Sequence, residues 1–565
     1  MSSKLENPDY LYEQKIYARR GAESNYTYTN PVQVESSLLN ILQNCKDLSI
    51  GSEELQRHIF DLPSLYYLSS KRADVLRPFT GQLKNKKVLE IGSGSGAITR
   101  FLGELDCSVL ALEESQQWAL ITAERCRDLE NITVVNDAFE NFISNEKFDF
   151  VILIGLLEHS DDAISYNEYL TILQKAKKFL IRGGNLILAI ENKIGLKYWA
   201  GAPGGDAGKS YHGIQNLHSN ERAETPGYHE IISLLNQAGF EISKCMYPFP
   251  DYKFTDVILT DTGFKKQGFD PLELLFEKFE YLQNTKYNNQ FSSTLAALSL
   301  YNDNLLPYFA NSFLITATLS NIGNTIEQNP ILAYVYSTYR KKEYSKQTIF
   351  TYHSESKLIS VARQLLYKSN DRNSPYLQQI LRDEPYIHGE ILLNTLLPMV
   401  CKTGWTIEDI IKWAQTYYEV IVSKSFTKDG QAFLEGKYVD LTPFNIILTN
   451  EQPQFFDLEW ICHENVPAYY VFFRGLAHSL GRILFVNNSG QDTPLQIIQL
   501  AGRVTSHYFQ FDDTGLTDCK RREIKYFSSV AINEMTEPFS MQELNVRNRE
   551  YLEALQINKD LLSKK

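Results

Sequence analysis

The chain carries a glycine-rich segment, Glu90-Ile91-Gly92-Ser93-Gly94-Ser95-Gly96. It follows a short apolar run, residues 87–91, that is typical of a buried strand, and it precedes a run with helical spacing. Gly92 permits a tight turn, and Gly94 and Gly96 let the backbone approach a ligand closely. The N–H groups at the start of the helix bind an anionic group. The spacing predicts a nucleotide-type ligand at this strand end.

Acidic residues end the next two predicted strands. Glu113 stands where a carboxylate accepts hydrogen bonds from both ribose hydroxyls, and Asp137, followed by Ala138, stands where an acid accepts from an adenine amino group. Together with Glu90 before the loop, these acidic residues predict a binding site for S-adenosylmethionine (SAM). Its methionine carboxylate would accept hydrogen bonds from the N–H groups at the helix N-terminus. Dinucleotide sites usually have the spacing G-x-G-x-x-G. A dehydrogenase or a Rossmann fold without a ligand is the alternative.

Residues 60–262 resemble the class I SAM-dependent methyltransferases. The resemblance rests on the G-x-G-x-G loop after Glu90, on Glu113 and Asp137, and on the strand pair predicted near 242–247 and 257–259. It implies a Rossmann-like α/β domain with SAM as its cofactor.

Three further segments look like a bacterial subgroup associated with cell-surface polysaccharide assembly. These are YYLSSKRA at 66–73, ITRFL at 98–102 and ENKIGLKYWAGAP at 191–203. This resemblance implies a glycan, glycan-lipid or glycan phosphate as methyl acceptor, a role in polysaccharide biosynthesis, and glycosyltransferases as partners.

Two histidines are candidates for the base that a hydroxyl acceptor requires. His159 follows the fourth predicted strand, and His212 lies in the long segment after the fifth. A structural histidine is the equal alternative for His159, and a phosphate acceptor needs no base. The segment 192–217, rich in glycine and aromatic residues, is predicted to be a substrate lid, with a folded insertion as the alternative.

A second set of chemical groups lies near the C-terminus. Asp440 and Asn445 form the pattern D-x-x-x-x-N, and a predicted hairpin over 446–456 leads to Asp457 and Glu459. Phosphoryl transfer from ATP needs a carboxylate to orient the attacking hydroxyl, and an amide and a second carboxylate to hold Mg²⁺. The pattern delivers these three groups to one place.

Residues 331–540 resemble the aminoglycoside- and choline-kinase-like branch of the protein-kinase fold. The resemblance implies that Asp440 is the catalytic base, that Asn445 and Asp457 bind Mg²⁺, and that ATP is a second cofactor. No glycine-rich phosphate loop or clear strand lysine is evident in the sequence, and Arg363 is the candidate for the position of that lysine. Two interpretations of this domain therefore remain: an active kinase, and a non-catalytic binding or docking module.

The predicted fold class is α/β, a Rossmann-like methyltransferase domain followed by an α+β protein-kinase-like domain. The predicted parts are listed in chain order: a polar N-terminal arm and helices over 1–80, the methyltransferase domain over 81–265, a connecting segment over 266–330, the kinase-like domain over 331–545, and a helical tail over 546–565. Apolar residues at helical spacing predict a helical run over 53–69, and the connecting segment is predicted to contain a helix over 272–281 and a strand near 312–317.

Composition limits the function further. The net charge of −12 argues against a broad nucleic-acid footprint, and Gly155-Leu156-Leu157-Glu158 stands where nucleic-acid amino-methyltransferases carry an Asn/Asp-Pro-Pro-Tyr motif. The seven cysteines lack zinc spacing and are predicted to be free in a reducing compartment. No run of about 18 apolar residues occurs. A cytoplasmic location is predicted, and peripheral membrane association stays open.

Overall fold

The computed structural model forms two compact units, each built from two stretches of the chain. Unit 1 comprises Met1–Lys265 and Asn304–Thr338, and unit 2 comprises Lys266–Asp303 and Tyr339–Lys565. The predicted connecting segment, 266–330, is thus divided between the two units. The structure describes residues 10–13, 15–20, 32–156, 166–203, 210–217, 225–276, 278–279, 291–319, 329–368, 374–450, 452–483, 485–490, 493–533, 535, 539 and 544–546.

Unit 1 is built on one twisted sheet whose strands are ordered β1-β2-β5-β4-β3-β6-β7-β10-β8-β9-β11. Strands β2 to β7 run parallel, and β10 is antiparallel to both of its neighbours. This confirms the predicted Rossmann-like α/β fold. The strands are β1 Tyr10–Glu13, β2 Ile16–Arg19, β3 Lys87–Ile91, β4 Ser108–Glu113, β5 Ile132–Asn136, β6 Phe148–Ile154, β7 Leu180–Glu191, β8 Glu241–Phe249, β9 Val257–Thr260, β10 Ser312–Thr318 and β11 Ile331–Ser337.

The central strands are apolar and buried, as expected for parallel strands covered on both faces. The helical run predicted over 53–69 breaks in two, because Asp61 caps a new helix by accepting from the Ser64 N–H at 2.8 Å. The helices of unit 1 are α1 Val32–Asn44, α2 Glu53–Gln56, α3 Leu62–Leu68, α4 Thr80–Leu83, α5 Ala97–Glu104, α6 Gln116–Arg125, α7 Tyr166–Lys178, α8 Leu196–Trp199, α9 Tyr228–Gln237 and α10 Asp261–Lys265.

Two parts of this sheet differ from the sequence-based prediction. The polar arm predicted at the N-terminus contains the hairpin β1–β2, which adds two strands beyond β5. The strand predicted near 312–317 exists as β10, but it lies between β7 and β8 rather than in a connector. All seven residues of β10 are buried, so it is an internal part of the sheet.

Unit 2 combines small sheets, antiparallel except for the parallel pair Phe485–Val486 and Asn545–Val546, with a helical core. The predicted hairpin over 446–456 is confirmed, with Ile446 opposite Phe455. The strands of unit 2 are β12 Lys346–His353, β13 Leu358–Leu365, β14 Leu377–Gln379, β15 Glu384–Pro385, β16 Glu390–Ile391, β17 Ser425–Lys428, β18 Gln431–Leu434, β19 Ile446–Leu448, β20 Pro453–Phe455, β21 Trp460–Cys462, β22 Val466–Pro467, β23 Phe485–Val486 and β24 Asn545–Val546. Its helices are α11 Ser293–Asn302, α12 Leu396–Val400, α13 Ile407–Lys424, α14 Ala468–Gly481, α15 Ile497–Tyr508 and α16 Asp513–Phe527.

Helices α13 to α16 enclose the core of unit 2 with buried side chains such as Tyr417, Phe472 and Tyr526. A helix predicted over 272–281 is a 3-10 turn, Pro271–Leu274, over its first residues. The predicted helical tail, 546–565, lies outside the described residues except for its first residue, which belongs to β24.

All seven cysteines are free, as predicted. Within the described ranges, no helix combines the length and the apolar character needed to cross a bilayer.

Candidate functional site

The glycine-rich loop connects β3 to α5 at the carboxyl edge of the sheet. Its turn is held to β4 by hydrogen bonds from the Gly92 and Ser93 N–H groups to the Leu112 carbonyl, at 2.8 and 3.1 Å. Gly94 has a φ of +52°, and a Cβ placed on it would meet no atom within 4 Å. The loop therefore leaves open space at its tip, which is what a ligand lying against the backbone requires.

Glu113 joins the loop to the end of β4. Its Oε2 accepts from the Gly94 N–H at 2.8 Å, and its Oε1 accepts from the Ser115 N–H at 3.0 Å. The carboxylate is thus fixed beside the open tip of the loop. The fixed Glu113 carboxylate can accept hydrogen bonds from a ribose diol, and the neighbouring N–H groups of the loop can donate to the methionine carboxylate of SAM. The residues present therefore fit SAM.

Glu90, also predicted at the cofactor site, lies buried beneath the loop. The Thr99 hydroxyl on α5 donates to Glu90 Oε2 at 2.6 Å. Burial, reinforced by the negative charge of Glu113, raises the pKa of Glu90 to about 8. Glu90 is therefore mostly protonated near neutral pH, and in this structure it ties β3 to the start of α5.

Asp137, the predicted adenine acceptor, is held by residues that sequence reasoning missed. The Tyr10 hydroxyl donates to Asp137 Oδ2, and Arg19 Nε lies 3.7 Å from the same oxygen. Both residues come from the hairpin β1–β2. No motif marks them, because their role depends on how the hairpin pairs with β5. The backbone of Ala138 accepts from the Asn141 N–H at 3.0 Å and begins the next turn.

Of the two candidate bases, the structure describes only His212. His159 lies outside the described residues. His212 precedes the 3-10 turn Gly213–Gln215, and its carbonyl accepts from the Leu217 N–H at 3.0 Å. The described contacts of His212 do not bring it to the glycine-rich loop, and its role as a base stays a prediction.

The segment predicted as a lid begins with a buried charged cluster at the carboxyl end of β7. Glu191 accepts from Lys197 Nζ at 3.0 Å, from Lys253 Nζ at 2.8 Å and from the Tyr198 hydroxyl. Burial alone would raise the pKa of Glu191, but the two ammonium groups hold it well below its usual range. The first part of this segment is thus folded onto the sheet through Lys197, which also lies 3.6 Å from Asp251.

In unit 2, the D-x-x-x-x-N pattern forms a compact loop. Asn445 Nδ2 donates to Asp440 Oδ2 at 3.2 Å and to the Asp440 carbonyl at 2.9 Å. Arg474 on α14 donates to Asp440 Oδ1 at 3.0 Å and also binds Glu523. Burial raises the pKa of Asp440, although the Arg474 guanidinium acts in the opposite direction.

Asp457 lies among cations from two neighbouring strands. Lys346 Nζ is 2.7 Å from its Oδ1, and Arg363 Nε is also 2.7 Å away, without the angle of a hydrogen bond. On the antiparallel pair β12–β13, Arg363 faces Thr348, two residues from Lys346, so both cations point to the same face. Arg363 further pairs with Glu384 at 3.0 Å.

Lys346 is a buried strand lysine whose pairing with Asp457 was not predicted from the sequence. Its side chain is 2% exposed, and its Nζ also lies 3.2 Å from Glu459 Oε2. Burial alone would raise the pKa of Glu459, but Arg340 and Lys346 lower it to about 2. Lys346 is the first residue of β12, and its pairing with a carboxylate more than a hundred residues away leaves no local pattern.

Asn445 and Asp457 offer the amide and carboxylate oxygens that Mg²⁺ accepts. The Asn445 amide nitrogen is used by Asp440, which leaves its oxygen for another partner. No group of three or more His, Cys, Asp or Glu side chains arranged for a metal occurs among the residues that the structure describes.

Residues 64–244 match the family described as "Methyltransferase domain". The Ribosomal RNA small subunit methyltransferase A of Streptococcus pneumoniae is 27% identical over 152 residues, which cover 23% of this chain and 52% of that protein. Its counterpart in Streptococcus sanguinis is 45% identical over 96 residues, which cover 16% and 32%. The chain spans about half of the length of these relatives, or less.

Among solved structures, the N-methyltransferase NodS from Bradyrhizobium japonicum WM9 in complex with S-adenosyl-L-homocysteine matches with 15% identity and a TM-score of 0.25. The match covers 38% of this chain and 89% of NodS. The family match and the strand, loop and carboxylate arrangement described above concern the same part of unit 1. Residues 64–244 therefore carry a class I SAM-dependent methyltransferase domain.

Proposed function

We propose that this chain transfers the methyl group of SAM to a cell-surface glycan or to a phosphate on such a glycan. The observation that carries the methyl-transfer half is the Glu113 carboxylate, held between the Gly94 and Ser115 N–H groups beside the open loop tip. The acceptor half is supported by the resemblance of residues 66–73, 98–102 and 191–203 to the polysaccharide-associated subgroup.

The edge near β7 presents an exposed aromatic ring. Trp199 on α8 leaves 43% of its surface exposed. An exposed aromatic ring packs against the apolar face of a sugar, which suits a glycan acceptor.

SAM supplies an electrophilic methyl group on a sulfonium. The chain's own residues bind and orient it, with Glu113 on the ribose, Asp137 and Ala138 on the adenine, and the α5 N-terminus on the methionine carboxylate. A glycan hydroxyl must lose a proton during transfer, for which His159 and His212 are the candidate bases. A phosphate oxygen is already anionic and needs none.

The test is transfer of a labelled methyl group from SAM to isolated acceptors. The full-length chain is incubated with lipid-linked glycan, with phosphatase-treated glycan and with small-subunit ribosomal RNA. We expect label in the glycan fraction, and its loss after phosphatase treatment would identify phosphate as the acceptor. Label confined to the RNA would contradict the glycan proposal and favour the activity named for the streptococcal relatives.

We propose as a second activity that unit 2 binds ATP and Mg²⁺ and phosphorylates the same class of glycan. The observation in its favour is the pairing of Asp457 with Lys346, a buried strand lysine, close to the loop that holds Asp440 and Asn445. The competing proposal is a non-catalytic docking module, favoured by the ion pair between Arg474 and Asp440, which opposes a role of Asp440 as a base.

ATP turnover in the presence of Mg²⁺ and glycan separates these two proposals. We expect Asp457→Ala to abolish turnover, because the substitution removes a metal ligand and the partner of Lys346. Asp429→Ala, in the exposed turn between β17 and β18, is the matched control and should retain it. Wild-type protein without turnover supports the docking module instead.

A further inference from the structure

The hairpin β1–β2 extends the parallel sheet and reaches the cofactor end of β5. Ala18 on β2 pairs with Asn136 on β5, and the two strands run in the same direction. Arg19 and Asp137 are the next residues on the two strands, so Arg19 lies beside the predicted adenine acceptor. Tyr10 on β1 lies directly opposite Arg19 on β2, so both residues lie at the end of the hairpin near Asp137.

These two residues both act on one oxygen of Asp137. The Tyr10 hydroxyl donates to Oδ2, and Arg19 Nε lies 3.7 Å from Oδ2. Oδ1 takes no such contact within the described residues. The Asp137 side chain is 2% exposed, so the carboxylate is shielded from water, while the neighbouring residue Ala138 is partly exposed.

Other contacts fix the hairpin to the methyltransferase domain. Lys15, in the hairpin turn, pairs with Glu124 on α6 at 3.0 Å. Arg19 Nη2 donates to the Asn141 carbonyl at 2.9 Å, and the Tyr10 ring packs edge-on against Phe142. The hairpin is thus anchored on both sides of Asp137.

We propose that the hairpin is part of the cofactor site and that Tyr10 and Arg19 are positioning residues that make Asp137 select the adenine amino group. This inference rests on the use of SAM proposed above. With Oδ2 occupied, Oδ1 is the oxygen left to accept from the N–H of the 6-amino group, and a shielded carboxylate forms this bond with little competition from water. A 6-oxo purine presents an acceptor there, which the carboxylate repels.

The test compares two ligands that differ only at this position of the purine. S-adenosylhomocysteine and S-inosylhomocysteine are titrated by calorimetry into the full-length wild type, Tyr10→Phe and Arg19→Gln. We expect the wild type to prefer the 6-amino ligand, and Tyr10→Phe to weaken that ligand about tenfold while leaving the 6-oxo ligand nearly unchanged.

Tyr12→Phe is the matched control, since Tyr12 lies on the same strand, 63% exposed, and loses the same hydroxyl. It should bind both ligands as the wild type does. Equal weakening of both ligands by Tyr10→Phe would show a purely structural role and overturn the inference. Unchanged or tighter binding of S-adenosylhomocysteine would also overturn it, the latter by showing that the hairpin blocks the site. A wild type that binds neither ligand would instead overturn the cofactor assignment.

Discussion

Glu113 is the residue on which cofactor binding should depend most. Glu113→Gln keeps the size of the side chain but places an amide N–H among the Gly94 and Ser115 N–H groups, which leaves one donor unmatched. We expect the affinity for S-adenosylhomocysteine to fall about ten- to a hundredfold, measured by calorimetry. Glu130→Gln, an exposed substitution of the same kind, is the control and should bind as the wild type does.

Glu90 should give the stability of unit 1 a distinct pH dependence. Its pKa is about 8 in the folded protein against 4.5 as its ordinary value. The folded state therefore holds a proton that the unfolded chain releases, and stability falls as the pH rises from about 5 to about 8. Glu90→Gln removes this component, on the order of a few kcal/mol.

Urea unfolding at several pH values measures this effect in the wild type and in Glu90→Gln. Asp74, whose pKa is raised to about 6 by burial, contributes in the same direction but only at lower pH. The difference between the two proteins from pH 6 to 8 thus isolates Glu90. Parallel curves over that range would show that Glu90 is not protonated in the folded state.

The sequence was sufficient for those side chains whose position follows from local spacing. The glycine-rich loop, Glu90 and Glu113 lie at a strand end, so a pattern of about 25 residues places them. Lys346 and Tyr10 could not be predicted in this way. Each reaches its partner, Asp457 or Asp137, only through pairing between elements more than a hundred residues apart.

At the scale of elements, two glycines in the turn from β3 into α5 allow two costs of substitution to be compared. One is the cost of backbone strain, and the other is the cost of a steric clash with a packed neighbour. Gly94 and Gly96 both have positive φ, but only a Cβ on Gly96 would meet a neighbour, the Thr122 backbone at 2.9 Å. We expect Gly96→Ala to lower the free energy of unfolding by roughly 2–4 kcal/mol, and Gly94→Ala by about 1 kcal/mol. Denaturant unfolding measures both, and equal losses would contradict the close packing of α5 on α6.

The parallel strands were predictable because each is a continuous apolar run between turn signals. The position of β10 was not, since an apolar strand pattern does not specify its neighbours. The hairpin β1–β2 was missed because its residues, YLYE and IYAR, carry polar groups on an edge that is only partly buried. The break between α2 and α3 depends on the Asp61 cap, which competes with an otherwise continuous helical pattern.

At the scale of the whole molecule, the boundary expected at residue 265 is the wrong place to cut the chain for experiments on unit 1. A fragment of residues 1–265 lacks β10 and β11, which leaves β7 and β8 without the strand that lies between them. We expect this fragment to aggregate and not to bind S-adenosylhomocysteine, and a fragment of residues 1–338 to bind it. Gel filtration and calorimetry compare the two, and a soluble, binding 1–265 fragment would show that β10 is dispensable.

The late position of β10 in the chain also governs how the protein emerges from the ribosome. Strands β7 and β8 are complete well before the residues of β10 have been joined, and segment Lys266–Asp303 of unit 2 is synthesised in between. At ordinary rates of translation the nascent chain spends roughly ten seconds with two apolar strands whose shared neighbour does not yet exist. We therefore expect the abundance of chaperones during synthesis to determine how much of this protein is recovered in soluble form.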